Sequence, residues 1–377
     1  MQKKIAVFTH NYPDNTKDRQ NAGYFVYEIC TELSKINNVV VFCPHKNKNN
    51  IAKVGKTRVS WFSRGVKGKL GSVNVFNPFV FINLGLFFVR GIIALTNFLR
   101  KEKPDVVIAM WAWPSGFFAL LSKLFFGKKY IVWALGSDIN KYSKWPFMNW
   151  VIKLILTNAE VLLADGVTLS EDVSTFSGKK CEFLPSATKL ETYHFNRVNR
   201  NKKTKLTFIG RMEKVKGPDI FIDALLQMKN LRNYEINMLG DGSLLSDLKN
   251  KANKQNNIKF YGNVSDKKEI AKILSSSTYV VIPSRSDSVP LVFSEAMKMG
   301  TPVIASDLPD ISYLIKKYKV GYLFKKNNVR SLVKLLHSLP EKNKFLVSLR
   351  KNTQKPAKEF SVEASALYLS RACGRIS

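Results

Sequence analysis

The chain has 377 residues, more than a single hydrophobic core usually organises, so its length predicts two domains. Hydrophobic residues make up 45% of the sequence, a share that excludes a disordered chain. The 60 lysines and arginines outnumber 28 acidic residues and give a formal net charge of +32, which indicates a negatively charged partner: nucleic acid, anionic lipid headgroups or a phosphorylated small molecule.

The four cysteines are scattered along the chain, with no C-x-x-C pair among Cys30, Cys43, Cys181 and Cys373. This spacing predicts buried, reduced thiols in a cytoplasmic protein and gives no zinc site. The N-terminal stretch MQKKIAVFTHNYP has too short an apolar part for a signal peptide, so it predicts a first core strand instead.

Short β-rich runs alternate with helical patterns in the first half of the chain. The strands are predicted at 5–9, 39–42, 106–110, 130–134 and 161–164, and the helices include 23–35, 114–126 and 145–157. Such alternation is typical of βαβ units, so it predicts a parallel sheet covered by helices.

The alternation restarts after the basic stretch at 188–205, which predicts a second domain of the same α/β class. Its strands are predicted at 206–209, 234–239, 258–261, 279–282, 303–305 and 322–324. We therefore predict domains at 1–187 and 204–357, with a final helix at 358–377 that packs back on the first. Ligands of open α/β sheets bind at the carboxyl ends of the strands, so we expect two facing domains with a ligand cleft between them.

The first turn of the second domain follows the strand in LTFIGRMEKVKG. Gly210 allows a sharp turn, and Arg211 and Lys216 stand near the start of the next helix. Two cations beside strand-end and helix-start amides would suit a diphosphate, although two solvated surface charges explain them equally well. The LGDG turn places Gly240 after the next strand, before a helix that Ser243 is predicted to cap; alone this is a weak indication.

The stretch PSRSDSVPLVFSEAMKMGTPVIAS carries two carboxylates eight positions apart, Asp287 and Glu295. The pattern places Asp287 in a strand-to-helix loop and Glu295 more than a turn inside the helix, whose N-terminal amides can bind an anion. Glu295 can accept both hydroxyls of a ribose and Asp287 those of a sugar, with a diphosphate between them. The fitting ligand is a nucleotide diphosphate sugar. A loop acid followed by a solvated helix glutamate is the structural alternative. The diphosphate would contact the backbone of this loop, at Ser288, Val289, Pro290 and Leu291.

These stretches together resemble the donor domain of retaining glycosyltransferases of family 4, which have the GT-B fold. The matching segments are GRMEKVKG, LGDG, IKFYGNV, SRSDSVPLVFSEAMKMGTPVIASD and VGYLF, and the first half fits through GYFVYEICTELSK and WALGSDIN. The resemblance implies a hexosyltransferase that uses a nucleotide sugar and needs no metal or other cofactor. Its acceptor would be a glycan or a lipid-linked sugar in cell-surface polysaccharide or glycolipid synthesis.

The resemblance also implies roles for single residues. Arg211, Lys216 and Asp287 would be catalytic, while Gly210, Gly240 and Glu295 would complete the donor site. The family has glutamate at both acidic positions, and this chain has Asp287 at the first, one methylene shorter. Two histidines common in relatives are replaced by Met110 and Leu135.

Five residues of the first domain are further candidates. Gly23 in NAGYF would let the donor phosphate approach the backbone, or would simply start a helix. Ser137 and Asp138 of the GSD turn could bind acceptor hydroxyls or cap the next segment. Trp111 and Trp113 could stack on an acceptor sugar or pack in the core.

Apolar and basic residues alternate in the first half in a way that indicates contact with an anionic membrane. The apolar run 79–89 has basic residues on both sides, and the stretches LLSKLFFGKKY and NKYSKWPFMNWVIKLIL mix aromatic, aliphatic and basic residues. We expect a cytoplasmic protein held peripherally on the inner face of the membrane. Ordinary crossover helices with buried faces are the alternative. The flanking basic residues are Lys67, Lys69, Arg90, Arg100, Lys101 and Lys103.

Two other functions fit part of the pattern. A sugar-nucleotide epimerase can share two α/β domains, but it needs an acid–base set, and the chain has only four histidines. A nucleic-acid or anionic-surface binder would explain the charge. However, the basic residues are spread along the whole chain without an aromatic-basic RNA motif, so no nucleic-acid partner is expected.

Overall fold

The computed structural model describes residues 2–16, 23–46, 48–63, 78–140, 142, 145–190 and 203–376, apart from the side chains of 78–84, 137, 140 and 340–343. The chain divides into two compact units, Met1–Pro185 with Val362–Ser377 and Ser186–Ser361. The bounds predicted from sequence were 1–187 with 358–377, and 204–357. Lys67, Lys69 and most of the linking stretch 188–205 lie outside the described residues.

The first unit is built on a sheet of eight strands among its described residues, in the order β3-β4-β2-β1-β5-β6-β7-β8. All neighbouring strands are parallel except β3 and β4, which pair antiparallel at one edge. The strands are β1 (Lys4–Phe8), β2 (Asn38–His45), β3 (Ile51–Val54), β4 (Thr57–Ser63), β5 (Val106–Met110), β6 (Tyr130–Ala134), β7 (Val161–Ala164) and β8 (Cys181–Phe183).

The helices of this unit connect the strands and cover the sheet. One continuous core joins α2, α3, α5 and α6 to β1, β2, β5, β6 and β7. The helices are α1 (Tyr24–Leu33), α2 (Pro78–Glu102), α3 (Ser115–Phe126), α4 (Ser137–Asn140), α5 (Pro146–Asn158) and α6 (Val167–Ser177).

The second unit has a parallel sheet of six strands among its described residues, in the order β11-β10-β9-β12-β13-β14. The strands are β9 (Thr204–Ile209), β10 (Tyr234–Leu239), β11 (Ile258–Gly262), β12 (Tyr279–Ile282), β13 (Val303–Ser306) and β14 (Gly321–Phe324). Strand order reverses between β9 and β12, so the loops that follow these two strands meet at the topological switch point.

Eight helices among the described residues belong to this unit. The helix that follows them in the chain belongs to the first unit. The eight are α7 (Pro218–Leu226), α8 (Leu245–Lys251), α9 (Lys267–Ser276), α10 (Leu291–Lys298), α11 (Pro309–Tyr318), α12 (Val329–Lys342), α13 (Leu346–Asn352) and α14 (Gln354–Glu359). The last helix, α15 (Val362–Ile376), packs on α1 of the first unit. There Ser365 Oγ donates to the carbonyl of Pro185 at 3.0 Å and Asn37 donates to Ser370 Oγ at 2.8 Å.

The predicted α/β class with parallel sheets is confirmed, and each predicted strand overlaps an observed one. Three strands were missed, β3, β4 and β8. β3 and β8 are short strands at the two edges of the sheet. β4, the neighbour of β3, alternates buried and exposed residues at its start. The four cysteines are buried and form no disulfide, as expected. In the described part of the chain, no helix is both long and apolar enough to cross a membrane.

The centre of the first core is an aromatic cluster around Phe42, which is 1% exposed. Its ring stacks on Phe62 with centroids 4.9 Å apart and contacts Phe8 at 5.2 Å and Phe98 at 5.3 Å. Because these rings join β1, β2, β4 and α2, the cluster holds the sheet to its helical layer.

Phe42→Ala should lower the free energy of unfolding of the first unit by about 3–5 kcal/mol, since it leaves a cavity between packed rings. All six tryptophans lie between positions 61 and 150, so tryptophan fluorescence in urea reports on this unit alone. Phe345→Ala, which removes a 51% exposed ring from the other unit, is the control and should leave the transition in place. A loss below about 1 kcal/mol in Phe42→Ala would contradict the assignment of this cluster as the centre of the core.

Candidate functional site

The candidate site lies at the carboxyl edge of the second sheet, where the loops after β9 and β12 touch. Gly217 ends the first loop with φ +69°, a left-handed conformation that favours glycine. A Cβ placed on it would lie 2.0 Å from the carbonyl oxygen of Pro283 in the second loop. No side chain fits in that space, so glycine is required both for the turn and for the contact.

Two of the predicted site residues are brought together here as an ion pair. Lys216 Nζ lies 2.5 Å from Asp287 Oδ2, and the two side chains are 25% and 18% exposed. Ser284 Oγ, which is buried, donates to the same carboxylate oxygen at 3.2 Å. The sequence predicted one residue for a diphosphate and the other for a sugar, but it did not predict their contact.

Arg285 of the second loop also bonds to the first loop and to the start of α7. Its guanidinium donates two parallel hydrogen bonds to Asp219, at 2.7 and 2.6 Å, and a third to the carbonyl of Lys214 at 2.6 Å. Its backbone N–H donates to Val215 at 2.8 Å. Burial raises the pKa of Asp219. The hydrogen bonds and positive charge of Arg285, together with two backbone hydrogen bonds, outweigh burial and hold that pKa below its usual value. Arg285 therefore fixes the turn that carries Lys216.

The loop after β10 is held against the loop after β9. Gly240 has φ +128°, and a Cβ there would lie 1.9 Å from the carbonyl oxygen of Gly210. Met212 N–H donates to Asp241 at 2.8 Å, which continues the contact. The two predicted glycines, Gly210 and Gly240, therefore lie where the loops after β9 and β10 contact each other.

Ser243 was predicted to cap the next helix, and this is wrong. The helix begins at Leu245, with Leu244 at its N-cap. Ser243 instead donates from its backbone N–H and its hydroxyl to Glu213, at 3.0 and 2.8 Å. These two hydrogen bonds hold the pKa of Glu213 below its usual value. Arg211, two residues before Glu213, is exposed at the rim of the same loop.

Glu295 lies in the second turn of α10, as predicted, and is half-buried. It accepts a hydrogen bond from Thr188 Oγ1 at 2.9 Å, and Lys298 Nζ donates to the carbonyl of Thr188 at 3.3 Å. Thr188 was not singled out in the sequence, because nothing local marks a threonine in a basic linker as a partner of a glutamate more than a hundred residues away.

The loop before α10 has the expected form for an anion site. Pro290 is its N-cap with extended backbone angles, and Leu291 is the first helical residue. The side chain of Val289 is buried and that of Ser288 is partly exposed. The first amides of a helix have no partner within it, so the N-terminus of α10 carries partial positive charge beside Asp287.

In the first unit, Asp138 is a structural residue. Its carboxylate is 1% exposed and accepts hydrogen bonds from the backbone N–H of Ala112 at 2.6 Å and of Leu135 at 3.2 Å. Burial raises the pKa of Asp138 to about 6, against these hydrogen bonds, which lower it. It joins the loops after β5 and β6, so of its two predicted roles the contacts support the structural one. The side chain of its neighbour Ser137 lies outside the described residues.

The two tryptophans and Gly23 are used for packing. Trp111, with φ +70°, is 8% exposed and its ring lies 4.4 Å from that of His10. Trp113 packs on Phe88 with ring centroids 5.3 Å apart. A Cβ on Gly23 would lie 2.1 Å from the carbonyl oxygen of Asn11, so its close backbone approach is to the chain itself.

His10 is a candidate ligand-contacting residue of the first unit that was not predicted from the sequence. It follows β1 at the carboxyl edge of the first sheet, and its Nδ1 is buried with no hydrogen-bond partner among the described residues. Burial lowers the pKa of His10 to about 4, so the ring is neutral at neutral pH. The sequence could have indicated it, because His10 directly follows the first strand, where ligand-contacting residues of such sheets lie.

In the described part of the chain, no group of three or more His, Cys, Asp or Glu side chains could hold a metal ion.

Comparison with known proteins agrees with the fold described above. Residues 190–356 match the family model Glycosyl transferases group 1. TuaC of Bacillus subtilis (strain 168), named for teichuronic acid biosynthesis, is 24% identical over 340 residues, which cover 84% of each chain. An Escherichia coli UDP-Gal:alpha-D-GlcNAc-diphosphoundecaprenol alpha-1,3-galactosyltransferase is 29% identical over 150 residues, 39% of this chain and 38% of its own.

The fold comparison covers the whole chain. Sucrose-phosphate synthase from Thermosynechococcus elongatus superposes with a TM-score of 0.79 at 18% identity and covers 99% of both chains. At this identity the likeness shows the fold alone: two parallel-sheet, Rossmann-like domains of the GT-B type, as predicted.

Arg285→Lys should loosen both loops, because lysine cannot make the two parallel hydrogen bonds to Asp219. Hydrogen bonds to charged groups contribute about 1.5–3 kcal/mol, so amide exchange at 214–217 and 283–287 should be faster by about tenfold or more. Hydrogen exchange followed by mass spectrometry measures this. Arg232→Lys, an exposed arginine of the same unit, is the control, and equal exchange in both variants would show that Arg285 does not fix the loops.

Proposed function

On the premise that residues 190–356 form a Glycosyl transferases group 1 domain in a chain of the GT-B fold, we propose that this protein is a retaining family 4 hexosyltransferase. It moves a sugar from a nucleotide diphosphate sugar to a glycan or lipid-linked acceptor in the synthesis of a cell-surface polysaccharide or glycolipid. The observation that carries the proposal is the junction of Lys216 and Asp287 beside the N-terminus of α10 at the switch point of the second sheet.

The diphosphate is proposed to bind at this junction. Lys216 and the exposed Arg211 supply two positive charges. The backbone N–H groups of Ser288, Val289 and Leu291 supply hydrogen-bond donors, whereas Pro290 has no N–H and contributes only the bend before α10. Gly217 and Gly240 let the loops that carry these groups pack against each other, because neither position has room for a side chain. We propose that these cations and backbone N–H groups bind the diphosphate without a metal ion, as the resemblance to family 4 implies.

The two carboxylates are proposed to bind the ends of the donor. Glu295 would accept hydroxyls of the ribose, with Thr188 holding its carboxylate in place. In Asp287, both Lys216 and Ser284 contact Oδ2, so Oδ1 is the oxygen that would accept a hydroxyl of the transferred sugar. Asp287 thus has two roles: it orients the lysine and it contacts the sugar.

The transfer itself would use the leaving phosphate. The bond from the anomeric carbon to the phosphate oxygen breaks, the acceptor oxygen attacks from the same face, and the acceptor proton passes to the phosphate oxygen. Negative charge grows on that phosphate as the bond lengthens, and Arg211, Lys216 and the amides of α10 would stabilise it. Because Asp287 is paired with Lys216 and Glu295 with Thr188, neither is placed as the acid–base pair that a glycosidase uses.

The curated relatives support the finer part of the proposal. One is named for teichuronic acid biosynthesis, and the other for transfer from UDP-Gal to a sugar on diphosphoundecaprenol. The first name describes synthesis of a polysaccharide, and the second describes an acceptor sugar linked to the lipid diphosphoundecaprenol. On this basis a UDP-sugar is the first donor to test.

The proposal is tested by a panel of nucleotide sugars, with release of the nucleoside diphosphate as the signal. We expect one donor to be hydrolysed slowly by the full chain without added metal, and the free sugar to keep the donor's anomeric configuration on NMR. Conversion of the nucleotide sugar into its epimer would favour the epimerase. Tighter binding of an oligonucleotide than of any nucleotide sugar would favour the nucleic-acid binder.

Glu295→Ala should weaken binding of the nucleoside diphosphate about tenfold or more, because it removes charge-assisted hydrogen bonds to the ribose. Calorimetric titration measures the dissociation constant. Thr188→Val, which only frees the carboxylate, should have a smaller effect, and Glu269→Ala on the exposed face of α9 should have none. If Glu295→Ala binds as tightly as the wild type, the ribose does not lie at Glu295.

A further inference from the structure

The helical layer of the first unit has an apolar outer surface. Helices α2, α3 and α5 lie side by side over one core, since α3 contacts both of the others. Their inner sides carry buried residues such as Phe87, Phe118 and Ile152. The sides turned away from that core carry large apolar side chains that are exposed, and we call these the outer helical face: Leu86, Val89 and Ile93 on α2, Leu124 and Phe125 on α3, and Trp145, Phe147 and Trp150 at the start of α5.

These side chains are too exposed and too numerous for ordinary crossover helices. Phe147 is 72% exposed, Phe125 71% and Trp150 61%. On α2 the exposed Leu86, Val89 and Ile93 have the spacing i, i+3, i+7, so they form one stripe opposite the buried side. A surface helix usually turns polar residues to water, and an exposed apolar area of this kind marks an interaction surface. The predicted apolar run at 79–89 is described only in part, because the side chains of 78–84 are not.

The charges around this surface are mostly positive. An exception beside it is Glu160, which follows α5 and is paired with Lys123 of α3 at 2.8 Å. Helices α2, α3 and α5 contain a single acidic residue, Glu102, and it is buried and paired with Lys4 and Arg58. Exposed basic residues stand among the apolar ones, with Arg90 beside Val89 and Lys153 one turn after Trp150. Further basic residues on or next to these helices are Arg100, Lys101 and Lys129.

We propose that the outer helical face docks on a membrane of anionic lipids, with its aromatic rings at the headgroup boundary. Tryptophan and phenylalanine favour this boundary, and each basic residue near an anionic surface adds to binding. A second copy of the chain is disfavoured, because two faces of the same positive charge would repel each other. In this proposal the helices lie on the membrane surface and do not cross it. It is independent of the donor site, all of whose residues are in the other unit.

The full chain should be tested with vesicles of phosphatidylcholine alone and of equal parts phosphatidylcholine and phosphatidylglycerol. We expect it to float with the mixed vesicles at low salt, to dissociate as salt rises, and to stay behind with phosphatidylcholine alone. The double variant Phe147→Ser/Trp150→Ser should bind about tenfold more weakly, since it removes two boundary rings. The matched control is Phe345→Ser/Val347→Ser, two exposed apolar residues of the other unit, which should bind like the wild type.

The charge contribution is tested separately. Arg90→Gln and Lys153→Gln should each lower the vesicle partition coefficient about fivefold, which corresponds to the roughly 1 kcal/mol expected of one basic residue. Lys254→Gln, an exposed lysine of the other unit, should change nothing. If all three variants lose binding equally, net charge rather than this face attracts the protein, and the proposal is wrong.

Three further results would overturn the proposal. They are a wild-type protein that stays soluble beside mixed vesicles at low salt, equal binding to both kinds of vesicle, and a wild-type dimer in light scattering that Phe147→Ser/Trp150→Ser turns into a monomer. Nucleoside diphosphate affinity should be the same in the wild type and in this double variant. A failure of vesicle binding can therefore be told apart from a failure of the proposed transfer.

Discussion

The candidate site depends on one close contact, that between Gly217 and the carbonyl of Pro283. Only because a side chain is absent at Gly217 can the loop after β9 lie against the loop after β12. That approach lets Arg285 reach Asp219 and Lys214, and it brings Lys216 within 2.5 Å of Asp287. The site is therefore formed by backbone packing at the switch point first and by charge second.

The ion pair explains how a protein of net charge +32 can hold a carboxylate and an anionic ligand in the same place. Asp287 is adjacent to Lys216 and to the N-terminus of α10, so its own charge is compensated before any phosphate is considered. The shorter aspartate at this position still reaches the lysine. How well the Asp287 carboxylate contacts a particular donor sugar is a separate question of donor specificity.

Much of the fold could be predicted from sequence, because buried parallel strands are short, continuous apolar runs. β5 and β12 are clear examples, whereas β3 was missed because it is a four-residue edge strand with a single buried residue. The site residues could be named from their place after strands, but their contacts could not. The pairing of Lys216 with Asp287 and of Glu295 with Thr188 depends on loop conformations set by distant parts of the chain. The structural role of Asp138 could not be predicted either, because its burial and its hydrogen bonds to two loops are set by the folded chain.

The most direct measurement compares the affinities of the nucleoside diphosphate and the corresponding monophosphate, by calorimetry, in the wild type and in Lys216→Met. If Lys216 binds the diphosphate, the wild type should prefer the diphosphate by about tenfold or more, in line with one charge-assisted hydrogen bond, and the variant should lose most of that preference. A variant that keeps the full preference would show that Lys216 serves only as the partner of Asp287, and the proposed donor site would be wrong.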